Sequence, residues 1–243
     1  MTLAPDLSVE TQLADVCGHT LIAGMDEVGR GALAGPVAVG VAAVDVVLSQ
    51  PLPGLRDSKK LTARQREQLM ETIPAWASTA VGMASPDEID TYGLSAALGL
   101  AGRRAWDQLV THSTTPAGLI LDGNTHWLQN APAELVEPLA PMDAHVVMQT
   151  KADSTCATVS AAAIAAKVTR DAFMVELAKL HPDYGWHSNK GYGSAIHRLA
   201  LIEQGVTEHH RKSWNLVPAA IQPRLLWGCM PSRSGSNYDM RHD

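Results

Sequence analysis

The sequence predicts an α/β fold in which a mixed β-sheet is flanked by helices. Short runs rich in β-branched and other apolar residues recur along the chain. After the first two of these runs, strand-like segments alternate with segments whose apolar residues recur at helical spacing. An initial hairpin followed by this alternation indicates a sheet with antiparallel and parallel neighbours and with helices on its faces.

Composition bounds the class of protein. The chain has 243 residues, of which 46% are hydrophobic and 18% are charged, as in ordinary globular proteins. These values exclude collagen-like, coiled-coil and wholly disordered chains. No apolar run reaches the roughly 18 residues of a transmembrane helix, so we expect no membrane association. The formal net charge of −6 by itself argues against nucleic-acid binding, although a local basic face would be sufficient for it.

The cysteines and the N-terminus bear on the location of the protein. Cys17, Cys156 and Cys229 are far apart, odd in number and without CxxC spacing, which is typical of a reducing compartment and argues against a zinc site. The first twenty residues lack the basic segment and the apolar core of a signal peptide. We therefore expect a cytoplasmic protein.

The first half of the chain predicts a hairpin, a helix and a third strand. Residues 1–17 carry mixed polar signals and are interpreted as a lead-in. A T-x-x-Q capping box at Thr62 and Gln65 starts the first helix, which Pro74 is expected to end. The predicted elements are the strand Leu21–Met25, the strand 37–47 after a glycine-rich bend, a helix from Thr62 to about Thr72, and the strand Ser78–Ala84.

The second half predicts further helices and two short buried strands. Ser85, Pro86 and Glu88 form a typical helix start, with the serine as N-cap. Residues 181–227 are irregular apart from one short helix, and residues 228–243 are expected to be disordered because they offer little to bury. The remaining predicted elements are a helix with an apolar face of Leu94, Ala97, Leu98, Ala101 and Ala105, the strands Leu119–Leu121 and His145–Gln149, a long helix from about Thr158 to Leu180, and the short helix around Ala195–Gln204.

Four acidic residues occur at the ends of predicted strands. Asp26 and Glu27 follow the first strand, Asp122 follows the fourth, and Asp153 lies between the fifth strand and the long helix. In an open α/β sheet, sites form beyond strand ends, where loops converge, so these acids could meet at one point. Each of them alone is more commonly a turn or cap residue. The adjacent pair Asp26 and Glu27 is less ordinary, because the end of a buried strand rarely carries two acids without a partner.

A cluster of four carboxylates would need a counter-charge. Mutual repulsion raises the pKa of each acid, and a divalent cation removes that repulsion. All-oxygen ligands select Mg²⁺ or Mn²⁺ rather than zinc. Two such ions about 3.5–4 Å apart can activate a water molecule and stabilise the leaving oxygen in phosphodiester hydrolysis. The acids therefore favour a metal-dependent hydrolase.

The glycine-rich stretch GRGALAG, residues 29–35, matches a variant of the dinucleotide-binding fingerprint. That function requires a helix after the glycines, whereas Pro36 and a β-branched run follow. An NAD-dependent oxidoreductase is thus a weak alternative, and a plain hairpin bend is another. We favour a backbone that approaches a ligand closely, with Arg30 directed at a phosphate.

Several motifs occur in a fixed order between about residue 20 and residue 216. They are Gly24–Gly31 with Leu33–Pro36, Asp57–Leu61, Asp122-Gly123, Lys151–Asp153 followed by 159–162 and 166–171, His181-Pro182, Tyr184-Gly185, Lys190–Gly193 and His210–Ser213. Together they closely resemble the motifs of the type 2 ribonucleases H (bacterial ribonuclease HII). Two positions depart from the family pattern: Gly93 replaces an asparagine, and Asn189 stands where histidine is frequent.

The resemblance implies an RNase H-like fold, with a catalytic domain over residues 18–180, a small helical substrate-binding subdomain over 181–227 and a tail over 228–243. It also implies hydrolysis of the RNA strand of RNA–DNA hybrids and incision at single ribonucleotides in duplex DNA, by a metal-activated water that leaves 3′-OH and 5′-phosphate ends. The substrates would then be these two nucleic acids. We expect a monomer, and the sequence names no protein partner. A hybrid-binding module without catalysis is an alternative.

The resemblance also assigns roles to single residues. Asp26, Glu27, Asp122 and Asp153 would take the four metal-binding positions, with Mn²⁺ or Mg²⁺ as cofactor. The backbone of Gly29, Arg30 and Gly31 would read the ribose 2′-OH, and Tyr192 would pack on the sugar of the adjoining deoxynucleotide. These roles agree with physical chemistry, because only a 2′-OH distinguishes RNA from DNA at one position. Outside this context, Tyr192 would be an ordinary amphipathic aromatic residue.

Clusters of basic residues complete the prediction. Most such clusters are solvated faces when taken alone. If the fold is as implied, several of them line a groove beside the acids and contact phosphates, which makes binding salt-dependent. The residues expected to bind substrate in this way are Lys59, Lys60, Arg211 and Lys212.

Overall fold

A five-stranded mixed sheet organises the chain, of which the computed structural model describes residues 4–113 and 115–216. The strands are β1 (Leu21–Val28), β2 (Val37–Asp45), β3 (Ser78–Ala84), β4 (Gly118–Asp122) and β5 (His145–Gln149). Their order across the sheet is β3-β2-β1-β4-β5. β2 is antiparallel to both β1 and β3, whereas β4 is parallel to both β1 and β5. The predicted mixed sheet with an initial hairpin is confirmed.

Helices cover both faces of this sheet. Over the described residues they are α1 (Ser8–Cys17), α2 (Ala63–Trp76), α3 (Pro86–Tyr92), α4 (Leu94–His112), α5 (Ala133–Val136), α6 (Ala157–Leu180), α7 (Trp186–Asn189) and α8 (Ala195–Gln204). Thr62 and Ser85 cap α2 and α3 through capping boxes, which confirms the box predicted at Thr62 and the N-cap predicted at Ser85. None of the described helices combines the length and the apolar character of a membrane span.

The sheet separates two apolar cores, because successive side chains of a strand point to opposite faces. On one face, Met25 and Leu121 pack with Trp106 and other residues of α4. On the other face, Ile120 packs with Val159 of α6. The two long helices therefore lie on opposite sides of the central strands.

The helix α6 lies close to the sheet because the strands beneath it carry glycine. A Cβ atom at Gly40 would lie 2.1 Å from the carbonyl oxygen of Ala162, and one at Gly24 would lie 2.5 Å from the backbone nitrogen of Val159. Real Cβ atoms do not approach backbone atoms so closely. Glycine at these two positions allows the helix backbone to rest on the strands.

The predicted lead-in over residues 1–17 is wrong, since α1 occupies most of it. Glu10 of α1 is fully buried. Its Oε1 atom accepts hydrogen bonds from the backbone N–H (2.9 Å) and the hydroxyl (2.8 Å) of Thr158 in the first turn of α6. A carboxylate is favourable there because the first N–H groups of a helix have no partner within the helix. This contact stabilises both helices.

The predicted end of α2 near Thr72 is also wrong, because the helix continues through Pro74. A proline in the last turn removes one backbone hydrogen bond. The turn persists because Ile73 is buried in the core and accepts a hydrogen bond from the N–H of Ala77 at 2.8 Å.

The residues after α6 form a small helical unit. Met174 of α6 and Trp186 of α7 belong to the apolar cluster that joins this unit to α6 and to the loop between β1 and β2. The subdomain predicted for residues 181–227 is described here as far as residue 216. The tail predicted for residues 228–243 lies outside the described residues, and the domain boundaries stay a prediction.

Two buried imidazoles lie inside this unit. The Nε2 atoms of His197 and His210 are 3.1 Å apart, and neither side chain is exposed. Burial is the main reason why the pKa of His210 falls to about 4; charge on the neighbouring histidines His197, His181 and His209 lowers it further. Burial, together with the charge of Arg198, also lowers the pKa of His197. Both rings are therefore neutral in the folded protein.

The close approach of α6 predicts that Gly40→Ala destabilises the fold. The added methyl group meets the helix backbone, so we expect the free energy of unfolding to fall by about 1–3 kcal/mol, measured by urea denaturation. Gly31→Ala is the matched control, because a Cβ atom there meets only the ring of Tyr192, at 3.9 Å. Equal stability of Gly40→Ala and the wild type would contradict the close approach.

The buried histidines predict stability that is lost in acid. The unfolded chain binds a proton on His210 near the ordinary pKa of 6.5, whereas the folded chain does so only near pH 4. The contribution of His210 to the free energy of unfolding is therefore complete above pH 6.5. It should fall by up to about 1.4 kcal/mol per pH unit between pH 6.5 and pH 4.

Urea denaturation at about pH 7.5 and about pH 5 measures this effect. The variant His210→Gln lacks the titration, so its free energy of unfolding should change less between the two pH values than that of the wild type. The exposed residue His19 supplies the control variant His19→Gln, which should keep the wild-type dependence. A wild-type slope in His210→Gln would refute the expectation.

Candidate active site

β1 and β4 place two acids side by side. β1 extends to Val28, which corrects the prediction that Asp26 follows the strand. In the parallel register Met25 pairs with Leu121, so the next residues, Asp26 and Asp122, are neighbours on the face that α6 covers. The sheet itself therefore brings these two carboxylates together.

The segment before α6 adds a third acid, Asp153, in a short 3-10 turn. The Oδ1 atom of Asp122 accepts a hydrogen bond from the backbone N–H of Ala152 at 2.7 Å, which fastens this turn to the end of β4. The fourth acid is Glu27, whose backbone N–H donates to Oδ1 of Asp26 at 2.7 Å. The four acids singled out in the sequence thus converge.

Burial and mutual repulsion raise the pKa values within this acid cluster. Asp26 is 7% exposed. Its pKa lies well above the ordinary value, chiefly because burial disfavours the carboxylate and then because the other three acids repel it. Burial also raises the pKa of Asp153, against the opposing effect of the Lys59 cation. The cluster therefore favours a positive partner.

The acid cluster fits hard divalent cations. The Oε2 atom of Glu27 and the Oδ2 atom of Asp153 are buried and accept no hydrogen bond from any described residue. A buried carboxylate oxygen without a hydrogen bond is costly, and a cation beside it would remove the cost. Carboxylate oxygens are the ligands that Mg²⁺ and Mn²⁺ prefer. The acid cluster therefore offers the ligand chemistry that such ions require.

Lys59 borders the acid cluster. Its Nζ atom lies 3.6 Å from Oδ2 of Asp153. Burial alone would lower the pKa of Lys59, but the nearby carboxylates, first that of Asp153, raise it above the ordinary value. Asp57 shapes this segment, because its Oδ1 atom accepts the N–H of Lys59 at 2.9 Å and its Oδ2 atom lies 3.8 Å from Nζ of Lys60. The sequence prediction did not single out Asp57.

The glycine-rich loop between β1 and β2 rests on two arginines. The side chains of Arg170 and Arg211 are fully buried. Burial lowers the pKa of both groups, and that of Arg211 falls to about 9. Arg211 donates hydrogen bonds of 2.7–3.2 Å to the carbonyl oxygens of Gly29, Arg30 and Gly35. Arg170 donates hydrogen bonds of 2.8–3.2 Å to the carbonyl oxygens of Ala34, Pro36 and Lys190.

This burial corrects the prediction that Arg211 binds substrate directly. Its guanidinium is inaccessible and bonded to the loop, so it acts only through the loop. Lys212 is exposed, and its backbone N–H donates to Oδ2 of Asp90 at 2.7 Å. The other oxygen of Asp90 accepts from the N–H and the hydroxyl of Ser213. Asp90, which the prediction did not include, therefore anchors this segment to α3.

Arg30 and Tyr192 lie on the exposed side of the loop. Nη1 of Arg30 is 3.1 Å from Oε1 of Glu27, and the Arg30 side chain is 58% exposed. The ring of Tyr192 is 38% exposed. It faces Gly31 on one side, and the guanidinium carbon of Arg170 lies 5.7 Å from its centroid. Arg30 thus contacts the acid cluster at Glu27, and the ring of Tyr192 lies beside the next loop residue, Gly31.

The same loop excludes the dinucleotide-binding alternative. Residues after the glycines form β2, not a helix. No helix N-terminus therefore follows the glycines to receive a pyrophosphate, as that fingerprint requires. The loop instead follows directly after the end of β1, the strand that carries Asp26 and Glu27.

Comparison with known proteins agrees with this geometry. The sequence model of the family Ribonuclease HII matches residues 23–217. Ribonuclease HII of Streptomyces coelicolor is 43% identical over 223 residues, which is 91% of this chain and 88% of the relative. Ribonuclease HII of Ruegeria sp. (strain TM1040) is 45% identical over 215 residues, which is 88% of this chain and 85% of the relative.

A solved structure is similar as well. The crystal structure of the ribonuclease H2 from Pyrococcus horikoshii OT3 matches with a TM-score of 0.66 and 27% identity, covering 84% of this chain and 98% of that one. The chain therefore belongs to the ribonuclease HII family, divalent-metal-dependent nucleases that cleave the RNA strand of RNA–DNA hybrids.

Proposed function

We propose that, besides cleaving the RNA strand of RNA–DNA hybrids, the chain incises duplex DNA at a single embedded ribonucleotide and leaves 3′-OH and 5′-phosphate ends. The observation that carries this proposal is the exposed backbone of Arg30 and Gly31, since the Arg30 side chain pairs with Glu27 of the acid cluster and Gly31 faces Tyr192, whereas Gly29 is buried against Arg170. A cluster that can hold cations supports hydrolysis. A backbone without side chains next to it suits the recognition of one hydroxyl group.

The acids would hold Mg²⁺ or Mn²⁺ between them. When bound, such ions supply a Lewis acid and an activated water for phosphodiester hydrolysis. The protein contributes rigid placement, since Asp26 lies within the sheet and Asp122 is bonded to the turn that carries Asp153. Lys59 adds a positive charge at the edge of the cluster and would attract a substrate phosphate.

The loop backbone would recognise the ribose. Its carbonyl oxygens at Gly29 and Arg30 turn inward to Arg211. The backbone N–H groups of Arg30 and Gly31 donate to no described residue. The oxygen of a 2′-OH can accept a hydrogen bond from such an N–H group, whereas a deoxyribose has no hydroxyl at that position. The buried arginine thus supports recognition by directing the polar backbone groups of the loop.

The ring of Tyr192 would pack on the sugar that follows the ribonucleotide. A flat ring in that place favours a sugar without a 2′-OH, because a hydroxyl would be buried against it without a partner. Arg30, Lys60 and Lys212 would contact phosphates and position the duplex. Recognition of one ribonucleotide followed by DNA therefore needs both the loop and the tyrosine.

We expect Asp26→Asn to abolish hydrolysis, with a loss of at least about a thousandfold in rate. The amide is nearly isosteric but lacks the negative charge that holds a cation. Affinity for the hybrid should survive or rise, because less negative charge faces the phosphates. Cleavage gels with Mg²⁺ or Mn²⁺ and fluorescence anisotropy measure the two effects.

The control for this variant is Asp15→Asn, which alters an exposed acid on α1 and should keep wild-type cleavage. Full activity of Asp26→Asn, or of the wild type in excess chelator, would overturn the role of the acid cluster.

We expect Tyr192→Ala to weaken incision at a single ribonucleotide by about tenfold more than cleavage of a continuous hybrid. The reason is that only the first substrate places a deoxyribose at the ring. Rates on both substrates give the comparison. Tyr92→Ala removes a tyrosine of similar exposure, 39%, on α3 and is the control. Equal losses on both substrates would count against sugar packing.

A further inference from the structure

Hydrogen bonds to carbonyl oxygens hold the turn that carries Tyr192. The N–H groups of Leu33 and Ala34 donate to the carbonyl oxygen of Gly191 at 2.8 and 3.2 Å. The carbonyl oxygen of Tyr192 itself lies 2.9 Å from Nδ1 of His197. This last contact acts on the residue whose ring is exposed.

In the contact between His197 and Tyr192, the histidine is the hydrogen-bond donor. Nδ1 of His210 accepts the backbone N–H of Thr207 at 2.9 Å, so the ring hydrogen of His210 lies on Nε2 and points at Nε2 of His197. That atom of His197 also accepts the indole N–H of Trp186 at 3.2 Å. The ring hydrogen of His197 therefore lies on Nδ1 and donates to Tyr192. A chain of hydrogen bonds runs from Thr207 to Tyr192 through two neutral rings.

The groups around the two histidines prevent the opposite placement of their ring hydrogens. An indole N–H can only donate, so Trp186 excludes a hydrogen on Nε2 of His197. The Arg198 cation on α8 faces His197, and the titratable rings of His181 at the end of α6 and of His209 in the segment after α8 face His210. Together with burial they disfavour a protonated ring. The carbonyl oxygen of Tyr192 thus has a constant donor.

We propose that His197 and His210 are positioning residues that hold Tyr192 and thereby set the preference for a deoxynucleotide beside the cleavage site. The inference rests on the proposed function of Tyr192. Neither histidine is exposed, so neither can touch a nucleic acid. Loss of the donor would leave Gly191 bound to the loop. Tyr192 would then be held only by its neighbours in the chain, through its N–H to the carbonyl oxygen of Asn189 (2.9 Å) and the N–H of Ser194 to its own carbonyl oxygen (2.8 Å), and would lose its hydrogen bond to the buried ring on α8.

The test compares two variants of His197 on two substrates. His197→Leu removes the donor, whereas His197→Asn keeps an N–H in place of Nδ1–H. We expect His197→Leu to lower the ratio of single-ribonucleotide incision to hybrid cleavage by about tenfold, the worth of about one hydrogen bond. His197→Asn should retain the ratio within about twofold. General destabilisation would reduce both rates and leave the ratio unchanged.

The outcomes separate this inference from the proposed function. A wild type that cleaves hybrids but does not incise at single ribonucleotides would overturn the proposed function. If the wild type cleaves hybrids and also incises at single ribonucleotides, and folded His197→Leu shows the wild-type ratio of the two rates, the positioning role alone would be overturned. Nitrogen-15 NMR of the wild type needs no variant and should show hydrogen on Nδ1 of His197 and on Nε2 of His210. The opposite tautomers would also overturn the positioning role.

Discussion

The repulsion between partly buried carboxylates of the acid cluster is the constraint on which the rest of this structure depends. The sheet brings Asp26 and Asp122 into neighbouring positions, and a hydrogen bond from Ala152 ties the turn of Asp153 to them. The cluster persists because its supports are stiff. α6 presses on strands that carry glycine, so the turn before it has little freedom to move the third acid away.

Two buried arginines place positive charge near the acids without pairing with them. Arg170 and Arg211 are buried, and their hydrogen bonds go to backbone carbonyl oxygens. The dipoles of these carbonyl groups stabilise the two guanidinium cations, so neither cation needs a carboxylate partner. Arg30 connects the two regions, because its side chain pairs with Glu27 while its carbonyl oxygen binds Arg211. The loop therefore lies between negative and positive regions, as suits a surface that receives phosphates.

Local signals sufficed for much of the fold. The capping boxes at Thr62 and Ser85 start real helices, and the mixed sheet with its initial hairpin follows from the alternation of patterns. The acids were predictable as a set, since each occurs in a similar context. The two largest failures share one cause, which is a partner distant in the chain. Neighbouring residues predict neither the helix of Glu10 nor the burial of Arg211, because the partners lie 148 and 182 residues away in the chain.

The contact between Glu10 and Thr158 bears on how this protein tolerates trimming. The match to the family model begins at residue 23, so a fragment cut at that boundary would omit α1. Two donors at the first turn of α6 would then lose their shared acceptor, immediately after the turn that bears Asp153. Such a fragment would keep every acid of the cluster, but the turn that bears Asp153 would be followed by a frayed helix end.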